Sequence, residues 1–501
     1  MTNDSGRTPD SWRIAAMSVL AGGVLLGDRA AGGGRTRIAV IGICGVVAAA
    51  VAPILWAGRR AAPESPRVPL PARSTIPAEA PRFSVIVAAR DEATVIGGVV
   101  ADLAGQDLRD ASGGPDLEMV LVDDRSIDGT ADVALKAAEV HGIADRLVVL
   151  RRDGLELADG KGAALTAAPP ERCRGDMIVV LDADARLGPG FLGALARQRE
   201  AGVRAMTARR RTLDDGTSWL AGAQADEQAV DGAIQAGRWA LGGMSEFRGN
   251  GTVIERQLLI QAGGWRANAL TEDLDLSSRI ALTAGVRVTW VADAEVWEQP
   301  VRTVIGLWRQ RVRWAEGSIR RYLEHGPGVL RSDALPSFAR VDFVAYAVQL
   351  LSPPIIVGAL LGSIRRRQPA VAAALLATYV SASGALTFQA LEGERDQDGR
   401  ALTRRRRIER GGRMAAFSTI WLVAVPGALW RLATRRGRMR YHKMEHLPAD
   451  DQGLPGRGDG RSATAAAERV AAQDPGTPDR ARAERARAER AARGTPASTP
   501  V

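Results

Sequence analysis

Apolar positions along this chain form short runs and long blocks. Five short runs, FSVIVA (83–88), EMVLV (118–122), LVVL (147–150), MIVVL (177–181) and VRAMTA (203–208), have the length of buried strands. Between them lie Ala- and Leu-rich stretches with helical character at 93–104, 130–141 and 189–200. Their alternation predicts an α/β, Rossmann-like domain over 81–325, with a parallel sheet covered on both faces. Such sheets bind ligands at the carboxyl ends of their strands, so the polar residues after each run are the candidate site.

The long blocks carry a different message. Residues 38–58 supply about the 20 residues needed to cross the hydrocarbon of a bilayer, and Arg59 and Arg60 follow at once. By the positive-inside tendency this places the following domain in the cytosol. Residues 14–27 read as a further span forming a hairpin with it, an interfacial segment or a signal-peptide core being the alternatives. After the α/β part come 341–363, 369–391 and 414–433, a transmembrane region of two or three spans over 341–433. Pro353 and Pro354 predict a broken or re-entrant helix in the first of these. Arginine clusters at 365–367, 404–407 and 435–440 cannot all lie inside if each block crosses once, so the side of the C-terminus stays open. From 449 to 501 the chain is Gly, Pro, Ala, Arg and Glu, with RARAE repeated at 480–489, which predicts a disordered or single-helix charged tail.

Composition adds little beyond exclusions. The 501 residues carry a formal charge of +10, but the arginines cluster beside apolar blocks and in the tail. They do not form a stripe interleaved with aromatics, so nucleic acid is not an expected partner. Cys44 and Cys173 suggest no disulfide framework and fit a reducing compartment.

The polar residues after the strand runs do look like a nucleotide site. Ala89, Arg90, Asp91 and Glu92 follow the first run, and Asp123, Asp124 and a turn-like RSIDGT follow the second. Adjacent carboxylates repel unless a ligand donor or cation relieves them, although Asp and Asp-Gly are also ordinary turn residues. The fourth run ends in Asp182-Ala-Asp184, which puts two carboxylates on one side of an extended backbone, a spacing that suits a shared hard cation such as Mg²⁺ or Mn²⁺. Gly160-Lys161-Gly162 opens a helix where a lysine and free amides could meet phosphate. Thr271-Glu272-Asp273 opens another, either as an N-cap with acids in the first turn or as the seat of a general base. Finally Gln310, Arg313 and Trp314 share one face of a helix-like run at 302–323, while Trp308, Val312, Ile319 and Leu323 form an apolar stripe. That run predicts an interfacial helix aiming a polar-aromatic triplet inward, or an ordinary basic helix with Trp anchors.

In this order, DD, DxD, TED and QxxRW, the chain over 82–325 resembles the family 2 inverting glycosyltransferases that build β-linked polysaccharides at membranes. The flanking apolar blocks resemble the layout of poly-N-acetylglucosamine and hyaluronan synthases, and cellulose synthase-like enzymes share the motif order. The resemblance implies a GT-A nucleotide-sugar-binding domain held between transmembrane helices at the cell membrane. It implies donor binding by Ala89, Arg90, Glu92, Asp123, Asp124, Lys161 and Asp182, with Mg²⁺ or Mn²⁺ on Asp182 and Asp184. Asp273 is implied as catalytic base, and Glu272, Gln310, Arg313 and Trp314 as the acceptor and diphosphate side. Phe247 to Thr252 and Gly263-Gly264-Trp265 are similar to the family's acceptor-side segment. Asp91 stands where members often have Asn.

The implied partners are a nucleotide-sugar donor, UDP-linked in the first instance, a glycan or lipid acceptor, and membrane lipid. Chain extension is the expected activity. The alternatives are transfer of a single sugar to a lipid, a nonenzymatic membrane scaffold, and a nucleotidyltransferase, which would need neither TED nor QxxRW.

Overall fold

The computed structural model describes residues 9–32, 51–58, 60, 81–154, 158–214, 216, 218–396 and 400–434. Most of the 38–58 block, and the whole 449–501 tail, lie outside the described residues.

Each of the five runs forms a strand. The order along the chain is β1 (Phe83–Ala89), β2 (Leu117–Asp123), β3 (Leu147–Arg151), β4 (Met177–Asp182), β5 (Arg186–Leu187), β6 (Ala205–Thr212), β7 (Thr252–Glu255) and β8 (Thr289–Glu298). They make one sheet in the order β3-β2-β1-β4-β7-β6-β8-β5. The first four are parallel, as their alternation with helices requires. The sheet as a whole is mixed, however, not parallel. β7 runs antiparallel to both β4 and β6, and β5 runs antiparallel to β8. β6 also runs four residues beyond the apolar run. Its arginines are paired across the sheet, Arg210 with Glu298 and Arg211 with Glu295, so a charged stretch is held in strand form.

Both faces of the sheet are covered. Val85, Val87, Met119, Leu121, Val179 and Leu181 point to one buried layer, and Ile86, Val120, Val122, Ile178 and Val180 to the other, as the two-residue period of a strand dictates. The parallel half therefore ends at Ala89, Asp123 and Asp182, with the register aligning Ala89 with Asp123 and Ala88 with Asp182. Three of the sequence motifs are thereby brought to one edge.

Four helical stretches among the described residues are long and apolar enough to cross a membrane: Asp10–Gly32, Ser337–Arg365, Pro369–Gly393 and Arg404–Thr434. The first two pack in parallel. A Cβ on Gly27 would lie 2.0 Å from the Ile355 carbonyl oxygen, and one on Gly358 2.2 Å from that of Val24. The pairs Gly23/Gly27 and Gly358/Gly362 are small residues at four-residue spacing on each helix, which lets two backbones touch. Asp28 closes the far end by pairing with Arg366 at 2.8 Å and Arg365 at 3.0 Å.

Helix Ser337–Arg365 runs unbroken through Pro353 and Pro354, contrary to the expected break. Pro353 removes the bond to the Gln349 carbonyl, and Ser352 Oγ donates to that oxygen at 3.5 Å, a long contact of the kind that lets apolar helices keep proline.

The break comes later. The 414–433 block is divided by a turn at 418–419 into Arg404–Phe417 and Ile420–Thr434. Arg407 donates to Phe388 O, Gly411 abuts Gly384, and Tyr379 Oη donates to Ser418 O, so the first of these helices runs antiparallel along Pro369–Ala390. Arg410 and Arg413 both pair with buried Asp226 of the α/β domain. The second returns to the start of the chain, where Arg13 Nε donates to Ala433 O at 3.0 Å.

Candidate active site

Left-handed backbone at two non-glycine residues shapes the donor end: Asp91 has φ 55° and Arg125 φ 64°. Such strain concentrates at sites where the surroundings over-determine the chain. Asp91 Oδ1 accepts from Ile127 N–H and its own N–H donates to Ser126 Oγ, which stitches the β1 and β2 ends together. Asn and Asp both enter the left-handed region, so Asp91 meets the same backbone demand as the family's Asn.

Ala89 and Glu92 are buried, and Arg90 is exposed and reaches Asp159. Asp123 Oδ1 accepts from Ser126 N–H at 3.1 Å, the turn role open to it from sequence. Asp124 carries two guanidinium partners, Arg152 at 2.7 Å and Arg125 at 3.0 Å. The charge repulsion expected of the pair is thus relieved by arginines of the chain itself.

The centre lies at the end of β4. Lys161 Nζ donates to Asp182 Oδ1 at 2.5 Å and stands 4.0 Å from Glu272 Oε1, joining GKG, DxD and TED through one ammonium. Burial works against the Lys161 charge, but Asp182, Glu272 and Asp273 together outweigh it and hold its pKa above the ordinary value. Burial likewise opposes Asp182, yet Lys161, Arg210 and Arg313 keep its carboxyl below the usual range. Arg313 belongs to the QxxRW segment, so the fourth motif acts on the same carboxylate. Asp184 differs: burial, then Asp182 and Glu298, push it up to about 7, and its Oδ2 accepts from Gln299 N–H at 3.1 Å.

Asp273 sits in the first turn of helix Glu272–Ala284. Thr271 occupies the cap position without making a side-chain cap bond, and instead packs against Gly317, whose Cβ would lie 2.3 Å from Thr271 Cγ2. Helix capping alone therefore does not account for TED. Burial raises the Asp273 pKa against the pull of Arg248, Lys161 and Arg210. Glu272 is pushed up to about 7 by burial and by Asp273, with Lys161 opposing. The loop at 247–251 closes over both motifs. Asn250 Oδ1 accepts from Asp182 N–H at 3.1 Å, and a Cβ on Gly249 would stand 3.5 Å from Asp273 Oδ2.

The QxxRW helix spans Val304–Arg331, longer at its C-terminal end than the expected run. Trp314 is flanked by Arg311 at 4.2 Å and Arg210 at 5.6 Å from its ring centre. Arg311 is buried and donates to Gln310 and Glu227, so it fixes the triplet. Val312 and Ile319 of the apolar stripe pack under helix Ile420–Thr434, which leaves Trp308 as the exposed part. Two participants escaped the sequence reading. Arg210 and Glu298 come from β6 and β8, where the charged half of one strand concealed it and the other was not foreseen at all.

The carboxylates at 182 and 184 are oxygen donors of the kind a hard divalent cation takes, and burial, with Asp182 and Glu298 adding to it, disfavours a bare charge on Asp184. Asp275, Glu324 and His325 also come within 4.8 Å of one another. There, however, Arg266 pairs with Asp275 and Glu324, and Arg279 with Asp275, so the charge is already balanced.

A family profile described as Glycosyltransferase like family 2 matches residues 81–317. A beta-monoglucosyldiacylglycerol synthase of Synechocystis is 30% identical over 389 residues, 76% of this chain and 78% of that protein. This chain belongs to glycosyltransferase family 2.

The Nostoc protein of the same name is 29% identical over 73% of this chain and 76% of its own length. A poly-beta-1,6-N-acetyl-D-glucosamine synthase of Staphylococcus aureus is 27% identical over 40% of this chain and 47% of its own. Among solved structures, the Pyrobaculum calidifontis mannosyltransferase PcManGT, in complex with GDP-Man and Mn²⁺, aligns with TM-score 0.46 and 23% identity, covering 78% of this chain and 99% of that one. This family 2 glycosyltransferase has the GT-A fold and acts on nucleotide sugars, and its relatives include glycolipid and polysaccharide synthases.

Proposed function

We propose that this glycosyltransferase moves one sugar, with inversion, from a nucleoside diphosphate to the hydroxyl of a diacylglycerol-type lipid at the cytosolic face of a membrane. The observation that carries the reading is the junction of Lys161, Asp182 and Glu272 beside Asp273, with Arg313 acting on the same carboxylate. The lipid acceptor is favoured over chain extension because the relatives that align over three quarters of this chain are named for diacylglycerol, whereas the polysaccharide synthase aligns over 40%.

Asp273 takes the proton of the acceptor hydroxyl. That oxygen bonds to the anomeric carbon as the carbon–phosphate-oxygen bond breaks on the opposite side, and the nucleoside diphosphate leaves. The raised Asp273 pKa suits it to accept that proton near neutral pH. Lys161 and Arg313 hold the diphosphate, and Trp314, steadied by Arg311, offers a ring face to the sugar. Mg²⁺ or Mn²⁺ held by Asp182 and Asp184 would supply neutralisation of the departing diphosphate.

Helix geometry supports the membrane reading. Asp342 pairs with Arg238 of the α/β domain at 2.9 Å, and Arg365 lies 23 residues further on, about 34 Å along the helix, close to the ~30 Å of hydrocarbon. Helix Ser337–Arg365 then crosses outward and Pro369–Ala390 returns. The Arg404–Thr434 pair enters and leaves on the catalytic side, where its arginines meet Asp226 and Ala433 meets Arg13.

The test incubates membranes with labelled nucleotide sugars, divalent cation and diacylglycerol, then resolves the lipid product and its anomeric configuration. A monoglycosyl lipid of inverted configuration is expected; a growing polymer with no lipid product would reject the acceptor.

A further inference from the structure

Where the QxxRW helix passes helix Ser337–Arg365, the two leave a cavity of about 420 Å³, within the roughly 300–1,000 Å³ typical of small-molecule sites. Tyr322, Gly326 and Leu330 form one wall, and Phe343, Val344 and Ala347 the other. Among the described residues no acid lines it, and the sole charge is Arg331 at the helix end. Gly326 and Pro327 keep the wall thin: the nearest atom to a Cβ on Gly326 would be Phe343 Cε1 at 4.0 Å.

The cavity opens onto an apolar face. Leu330 is 52% exposed and Val344 44%, and Phe338, Val341, Val348 and Leu351 continue the exposed stripe along a helix long enough to span a bilayer. Water would meet this face at a large free-energy cost, and acyl chains would not. Arg331 stands at the rim on the catalytic-domain side, where a guanidinium belongs at headgroup level.

Position along the helix links the cavity to the chemistry. Gly317 touches Thr271 of the TED motif, and Gly326 lies nine residues on, about 14 Å away at 1.5 Å per residue. A lipid whose hydroxyl reaches Asp273 can thus lay its chain into the cavity.

We infer that this cavity is the acyl-chain site for the diacylglycerol-type acceptor. The inference rests on the proposed acceptor and deepens it, because chain length would then be read by a pocket remote from the sugar. Its test uses the purified full-length enzyme with diacylglycerols of short and long chains. Gly326→Leu and Val344→Trp fill the cavity from opposite walls, and Gly326→Ala leaves it open. Both filling variants are expected to raise KM for long-chain acceptors by about tenfold or more, with KM for short-chain acceptors and for the donor unchanged. Gly326→Ala should match the wild type. Wild-type transfer to diacylglycerol with both folded filling variants equally active on long and short chains overturns the cavity assignment alone. No wild-type transfer to any diacylglycerol overturns the acceptor reading, and the assignment with it. Retained nucleotide binding shows that a variant is folded.

Discussion

Lys161 Nζ lies 2.5 Å from Asp182 Oδ1, so the helix opened by a bare GKG tripeptide is tied to the Asp182-Ala-Asp184 motif 21 residues later. The lysine also faces Glu272, and its removal leaves acids on two segments, Asp182 on one and Glu272 and Asp273 on the other, without their shared counter-charge. Lys161→Met is expected to weaken binding of the nucleotide sugar by at least about tenfold, or ~1.4 kcal/mol, measured by calorimetry. Unaltered affinity would remove Lys161 from the donor site.

Asp273→Asn keeps the shape of the proposed base and removes its ability to take a proton. Transfer should fall by about 10²–10⁴-fold while nucleotide affinity stays within a few-fold. Turnover at the wild-type rate would end the assignment.

Asp184→Asn takes away one of two carboxylates suited to a divalent ion. Activity should drop by about 10²-fold or more, and chelation should reduce the wild type to a similar level. Full activity of the wild type in excess chelator would exclude the metal role.

Glu272 gives a stability prediction with a definite sign. Its pKa rises from 4.5 to about 7 in the folded chain, so the folded state holds this proton more tightly than the unfolded chain does. The contribution is complete below about 4.5 and is lost as pH rises through 7. The fall in apparent Tm between about pH 5 and 7 should therefore be steeper for the wild type than for Glu272→Gln. Equal slopes would refute the raised pKa.

Gly27 sits where any Cβ would press on backbone atoms of the crossing helix. Gly27→Leu should force helix Asp10–Gly32 away and abolish recovery of folded enzyme in detergent, whereas Gly22→Leu, where the added Cβ meets nothing within 4 Å, should be recovered normally. Similar yields from both would mean that this crossing contributes nothing.

The parallel half of the sheet was legible because its strands are buried on both faces and appear as continuous apolar runs. β7 and β8 were not, since Thr252–Glu255 is short and Thr289–Glu298 mixes Asp, Glu and Trp, patterns satisfied only by tertiary partners. The motif residues Lys161, Asp182, Glu272 and Asp273 converge as their order along the chain suggested. What sequence could not show is the internal neutralisation of Asp124 by Arg125 and Arg152, because the two arginines are 27 residues apart. The proline pair misled because helix Ser337–Arg365 continues through it, with Ser352 Oγ reaching the Gln349 carbonyl that Pro353 leaves without its N–H partner.

Side chains alternate along β6, so Arg210 serves the cleft while its neighbours Arg209 and Arg211 both grip Glu394, just past helix Pro369–Ala390. A change in that inter-helix loop is therefore only one residue removed from the active site, although 184 positions separate Arg210 from Glu394 in the chain. Natural variation there would tune turnover while looking, in any linear comparison, like drift in a linker.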